Sequence, residues 1–250
     1  MKYITWIIVL VASNKTNLYA QKIDPIQTDR PDQTETPFTV PKNHFQMETG
    51  FSFEKTNTSI KSYTNPSILM KYGLSDHFES GIITEFATLK SGYSIGGLSP
   101  VTFRFKEKIT NEKGIIPVTS FIGYLSVPHF ASKKFKATYY APAFRFTMQH
   151  TLSDKISIGY NLGAEWDGES PEPVFIYTLT TGFALTEKLG AFAEIYGFAP
   201  QLSKADHRFD AGFTYLLQNN IAIDISGGVG ITENAPDYFT AIGFSFRLKD

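Results

Sequence analysis

From residue 44 to the C-terminus, apolar and polar positions alternate with a period of two. The clearest stretch is 156–166, where Ile156, Ile158, Tyr160, Leu162, Ala164 and Trp166 alternate with Ser157, Gly159, Asn161, Gly163 and Glu165. One face is apolar and ends in an aromatic ring; the other is small, polar or acidic. Successive side chains of a strand point to opposite faces, so this is a strand with one face in an apolar medium. The pattern recurs in Ile221, Ile223, Ile225, Val229 and Ile231 against Ala222, Asp224 and Ser226. It recurs again in Phe209, Phe213 and Leu217 against Asp210, Gly212 and Thr214. Phe45, Met47, Phe51 and Phe53 oppose Gln46, Glu48, Ser52 and Glu54, and Val101, Phe103 and Phe105 oppose Thr102, Arg104 and Lys106. Residues 115–127 are apolar on both faces, and the pattern gives them no orientation.

Turn signals divide the region into twelve strands, near residues 44–54, 65–74, 77–88, 97–109, 115–127, 138–151, 155–166, 173–185, 188–198, 206–218, 220–231 and 238–249. Their connections alternate in character. One set is tight and similar, as in Leu74-Ser75-Asp76-His77, Leu152-Ser153-Asp154-Lys155, Leu185-Thr186-Glu187-Lys188 and Leu217-Gln218-Asn219-Asn220. The other set is longer and richer in Ser, Lys, Gly and Pro, as in 128–137. Short turns on one side and longer loops on the other are the pattern of a transmembrane barrel, with the short turns in the periplasm. A soluble barrel or sandwich would share the period but carry a denser charged surface. Twelve strands would also enclose an interior too wide for apolar side chains to fill. The reading is therefore all-β: a transmembrane antiparallel β-barrel of about twelve strands, with an N-terminal segment that is not a strand.

Composition agrees with a diluted apolar pattern: 22 Phe, 13 Tyr and 2 Trp stand beside 19 Gly, with a net charge of −1. Balanced charge offers no basic face for nucleic acid. The chain has no cysteine, so an exported fold would rest on backbone hydrogen bonding and packing rather than disulfides. Lys2, the apolar run 4–12 and Leu18-Tyr19-Ala20 before Gln21 predict a signal peptide over 1–20. Residues 21–43 hold Pro25, Pro31, Pro37 and Pro41 and show no strand period. They are read as a periplasmic or lumen-plugging segment, followed by the barrel over 44–250.

The run Thr28-Asp29-Arg30-Pro31-Asp32-Gln33-Thr34-Glu35-Thr36-Pro37, then Val40-Pro41-Lys42 and Phe45-Gln46-Met47-Glu48, resembles the start of mature proteins in a Bacteroidetes-rich outer-membrane family. That family carries the label MetA-pathway of phenol degradation. The repeated Leu-Ser/Thr-Asp/Glu-Lys turns are similar to those of the same family, and the resemblance spans 24–250. It implies an outer-membrane barrel with a transport role. It brings no catalytic residue and no defined substrate, and the phenol in the label is not evidence of phenol chemistry here.

Chemistry-bearing motifs are absent from the sequence. His44, His77, His129, His150 and His207 are scattered without metal-ligand spacing, and no Gly-rich phosphate loop is present. His150 falls on the expected lipid face, where a lipid hydrolase would use it, but no serine partner is identifiable and an interfacial role is the simpler reading. No enzyme activity, cofactor or metal is expected.

The inward charges carry the functional expectations. Alternation and strand direction place Glu54, Glu85, Glu165 and Asp210 toward an acidic outer mouth, and Arg104, Arg145 and Glu194 at mid-height. Lys71, Lys106 and Arg247 fall toward the periplasm with Glu48, Glu79 and Asp224. Arg104, Arg145, Glu194, Glu48 and Glu79 are the constriction candidates. Asp29, Arg30, Asp32 and Glu35 are the plug candidates, with Arg30 expected to meet Glu48 or Glu79. Two functions fit: a channel or transporter for small solutes, or a closed structural or interaction barrel. The expected location is the bacterial outer membrane. The expected partners are its lipid, the barrel assembly machinery during biogenesis, and a small-molecule solute.

Overall fold

A strand that crosses a bilayer has no water to satisfy its backbone, so every edge must find a neighbour. The chain meets this by closing on itself. The computed structural model describes residues 24–249; the expected signal peptide lies outside them. In order the strands are β1 (His44–Lys55), β2 (Ile60–Gly73), β3 (Phe78–Ser91), β4 (Tyr93–Leu98), β5 (Val101–Thr110), β6 (Val118–Val127), β7 (Ala141–Ser153), β8 (Ile156–Glu165), β9 (Val174–Ala184), β10 (Leu189–Pro200), β11 (Asp206–Gln218), β12 (Ile221–Gly230) and β13 (Tyr238–Lys249). Each pairs antiparallel with its neighbours, β1 closes the ring against β13, and β3 joins β2 to β5.

Twelve strands form the closed barrel and β4 stands outside the count. The upper part of β3 pairs with β4 through Phe86–Leu98 and Ser91–Tyr93, while its lower part, from Phe78 to Ile83, pairs with β5. One strand was expected over 97–109. Pro100, which has no N–H to give a ladder, stands between β4 and β5 and breaks it in two. β4 is thus an arm above the rim, tied to the next loop by Ser132, whose Oγ accepts from Leu98 N at 2.9 Å. The strand expected from 65 begins earlier, at Ile60.

The short turns that join β2 to β3, β7 to β8, β9 to β10 and β11 to β12 gather at the end that holds both the start of β1 and the end of β13, while the tight β3–β4 turn at Gly92 lies at the other end. Strands of ten residues or more are long enough to cross a bilayer at barrel tilt. No helix among the described residues is long and apolar enough to do so.

The facing is inverted relative to a soluble protein. Phe213, Leu162, Ile225 and Ile242 are each more than half exposed on the outer wall. The most completely buried large side chains include Lys71, Lys106, Gln46, Glu48, Glu79, Glu194 and Asn161. Water would not tolerate the first set as a continuous belt, and an apolar core would not tolerate the second. The belt faces lipid, and the chain is an outer-membrane β-barrel. β6 is now oriented: Val118, Ser120 and Ile122 are buried inside, while Phe121 and Leu125 face outward.

Candidate functional site: an occupied lumen

Residues 24–43 form no strand of their own, yet their backbone groups must be satisfied once inside a barrel. The lumenal side chains do this. The segment starts at the short-turn end, where Ile26 N donates to Asn219 O at 2.7 Å and Arg247 donates to the Asp24 carbonyl. It rises until Gln33 N and Thr34 N donate to the Glu194 carboxylate at 2.7 and 2.9 Å. It then descends through Glu35, whose N–H donates to Asn161 Oδ1 at 2.8 Å and whose carbonyl accepts from Thr147 and Asn161. Ser120 donates to the Pro37 carbonyl, and Val40 N donates to Glu79 Oε2 at 2.7 Å. The segment leaves beside Asp76, in the turn between β2 and β3. Its path is a hairpin inserted from the short-turn end.

The Asp29 carboxylate is the electrostatic centre of this hairpin. Lys71 Nζ lies 2.9 Å from it, Arg104 Nη1 2.9 Å and Lys106 Nζ 2.8 Å. Glu48 also binds Lys71, at 2.6 Å, and Glu79 binds Arg104, at 3.2 Å. The wall alone presents these three cations against two carboxylates, so Asp29 supplies the third negative charge. Glu48 also accepts from the Asp29 backbone N–H at 2.9 Å. Charge-assisted bonds of this kind are roughly twice as strong as neutral ones.

Arg30 does not meet Glu48 or Glu79. Its guanidinium crosses to Asp224, 2.9 Å away. Two glycines admit it: a Cβ on Gly50 would lie 2.2 Å from Arg30 Nη1, and one on Gly243 would lie 2.4 Å from Nε. These glycines face each other across the β1–β13 pair. Glu48 and Glu79 are already committed to the Asp29 and Val40 N–H groups, which explains the different partner.

The mid-height trio is not one cluster. Arg104 and Arg145 meet on Glu35, at 3.4 and 3.5 Å, under the ring of Tyr124, which donates to the same carboxylate. Glu194, on β10, stands elsewhere and accepts from the hairpin residues Gln33 and Thr34. Asp210 lies directly across from Glu194 in the β10–β11 register and is buried, rather than standing free at an outer mouth. The slant between neighbouring strands brings it down to that level. Of the other outer acids, Glu54 pairs with Arg208 at 2.9 Å and Glu165 lies 3.6 Å from Arg145. Glu85 accepts only a long hydrogen bond, 3.3 Å, from Thr64. Arg208, Tyr124 and Asn161 contact lumenal acids or the hairpin at positions that alternation alone did not single out; all lie on its inward face.

The hairpin divides the interior. On the short-turn side a cavity of about 230 Å³ lies between it and Gln149, Ser157 and Thr214. On the outer side are cavities of about 180 Å³, beside Ser67 and Ile83, and about 200 Å³, beside Glu54 and Arg208. Asp32 lines all three. Among the described residues no group of His, Asp or Glu is arranged to hold a metal. His150 sits on the outer wall with its ring nitrogen 3.2 Å from the Tyr160 hydroxyl.

Comparison with known proteins adds family and fold. The model of the family described as "Putative MetA-pathway of phenol degradation" matches residues 28–248. An outer membrane channel from Pseudomonas putida F1 superposes with a TM-score of 0.70 at 11% identity, covering 88% of this chain and 100% of that one. The NanC porin gives 0.57 at 11% identity, covering 82% and 100%. The KdgM porin gives 0.55 at 8% identity, covering 80% and 98%. At such identities the likeness is one of fold. No curated protein sequence matches the chain.

Proposed function

The chain belongs to the family described as "Putative MetA-pathway of phenol degradation", and from that premise we propose that it is an outer-membrane channel for small solutes whose N-terminal hairpin governs passage. The observation that carries this reading is the partition at Asp32: cavities lie on both faces of a hairpin held by side-chain bonds rather than by a strand ladder. Such a hairpin can leave its seat without breaking the barrel. A polar, charge-lined path remains when it does, and the wall charges regain water as it opens. The same density of ion pairs around Asp29 favours a second reading, a barrel that stays closed and serves a structural or interaction role.

A disulfide lock separates the two. The chain has no cysteine, and the hydroxyls of Thr34 and Thr178 approach to 2.6 Å, so cysteines at both positions would tie the hairpin to β9. In planar bilayers the reduced double variant should conduct and the oxidised one should conduct less. Equal conductance in both states would remove the hairpin from the gate; no conductance in either would favour the closed barrel.

A further inference from the structure

The outer vestibule contains a further cavity, of about 250 Å³, that touches no hairpin residue. Its walls include Glu85, Pro100, Pro128, Tyr139 and Trp166. From this lining we propose that the vestibule binds a small organic ammonium ion carrying an aromatic or apolar ring, before the solute reaches the hairpin.

Each neighbouring acid of the outer half is already engaged: Glu54 by Arg208, Glu165 by Arg145, and Asp167 by the backbone N–H groups of Glu169 and Ser170 at 2.7 and 2.9 Å. Glu85 is different. Among the described residues its one hydrogen bond is that from Thr64, and no Lys or Arg pairs with it. Glu85 is half-buried, and a carboxylate partly withdrawn from bulk water without a cation gains from a ligand cation that supplies one.

The rest of the lining defines what the cation must carry. Thr102 and Ser126 bond to each other at 2.6 Å, so part of their hydrogen-bonding capacity is already used. The Trp166 indole N–H donates to the Pro171 carbonyl at 3.1 Å, so the N–H is engaged and the ring is held in the cavity wall. Aromatic faces attract cations and stack on rings, and proline rings add flat apolar wall. The volume is below the ~300–1,000 Å³ of drug-sized sites, which limits the ligand to about one ring and a short arm. An anion is excluded by Glu85.

This inference names the solute class for the channel reading, but its test does not depend on conduction. Trp166 is the only tryptophan among the described residues and stands in the wall of the cavity, so its fluorescence reports occupancy. The whole detergent-solubilised protein is titrated with 2-phenylethylamine, and in parallel with 2-phenylethanol and phenylacetate, at neutral pH. The expected result is a saturable change with the amine, at least tenfold weaker for the alcohol and absent for phenylacetate. Glu85→Gln keeps the hydrogen-bond acceptor for Thr64 and should weaken the amine at least tenfold, with an unchanged heat-dependent gel shift as the check on folding. Trp166→Phe should abolish the signal and confirm its source. An equal response to phenylacetate, an unweakened Glu85→Gln variant, or no saturable response would overturn the proposal. The conductance test of the hairpin would be unaffected by any of these failures.

Discussion

Lys106 Nζ donates to Asp29 Oδ1 at 2.8 Å, joining a mid-barrel strand to the segment that precedes the first one. Asp29 is the nearest counter-charge to Lys106, and Lys71 and Arg104 share the same carboxylate. Lys106 is completely enclosed and also donates to the Thr36 carbonyl at 2.7 Å, while Asp29 is the counter-charge the wall lacks. Removing one member of a buried pair leaves the other uncompensated, at a cost of about 3–5 kcal/mol.

Asp29→Asn should therefore loosen the hairpin and destabilise the barrel by up to about 3–5 kcal/mol. Adding Lys106→Met to this variant should recover much of the loss, because two wall cations then face two carboxylates. Urea unfolding in detergent micelles measures both. Strict additivity of the two substitutions would show that the pair is not coupled.

Glycine positions give a graded prediction. A Cβ at Gly73 would lie 2.1 Å from the Pro41 carbonyl oxygen and 2.4 Å from that of Val40, which are backbone atoms and cannot step aside. At Gly243 the obstacles are the side-chain ends of Arg30 and Asp224, each 2.4 Å away, which can step aside. Gly73→Ala should unseat the hairpin exit and expose it to added protease, while Gly243→Ala should only weaken the Arg30–Asp224 pair. Similar protease sensitivity in both variants would contradict the ranking.

The facing of the wall predicts a third contrast. Phe213→Arg should cost about 2–4 kcal/mol near the bilayer midplane. Its neighbour Thr214, beside the short-turn cavity, should accept Asn or Ser with little change. Asn161→Leu should not be tolerated, although Asn161 also faces inward, because it bonds both the N–H and the carbonyl of Glu35. Refolding titrations into lipid vesicles measure all three. Equal costs for Phe213→Arg and Thr214→Asn would reverse the assignment of inside and outside.

The barrel was legible because period two, tight turns and apolar faces are local properties. Ile156 to Glu165 states its period of two without help from any other strand, while the choice of lipid face needed the alternating turns and the width of twelve strands. Trp166, one residue past β8, leaves the outer face and lines the vestibule. The extra arm was not legible: β4 is separated from β5 by a single break at Ser99-Pro100, too short to look like a loop. The site was legible as a set of inward charges and not as a set of pairs. Which acid meets which base depends on strand stagger and on where the hairpin runs. Arg30 shows this most clearly, since its route to Asp224 is opened by two residues with no side chain. Asn161 was read as one polar position among many, because nothing along the strand reveals that another segment lies against it.

The direct test of the account removes the hairpin. Deleting residues 24–40 leaves every strand and the β1–β13 closure in place, so the variant should fold, extract in detergent and show the same heat-dependent gel shift. Single-channel recording in planar bilayers should then give a conductance several-fold above that of the full chain, since the removed residues occupy the lumen between the short-turn cavity and the outer ones. A folded variant whose conductance equals that of the full chain would contradict the central claim.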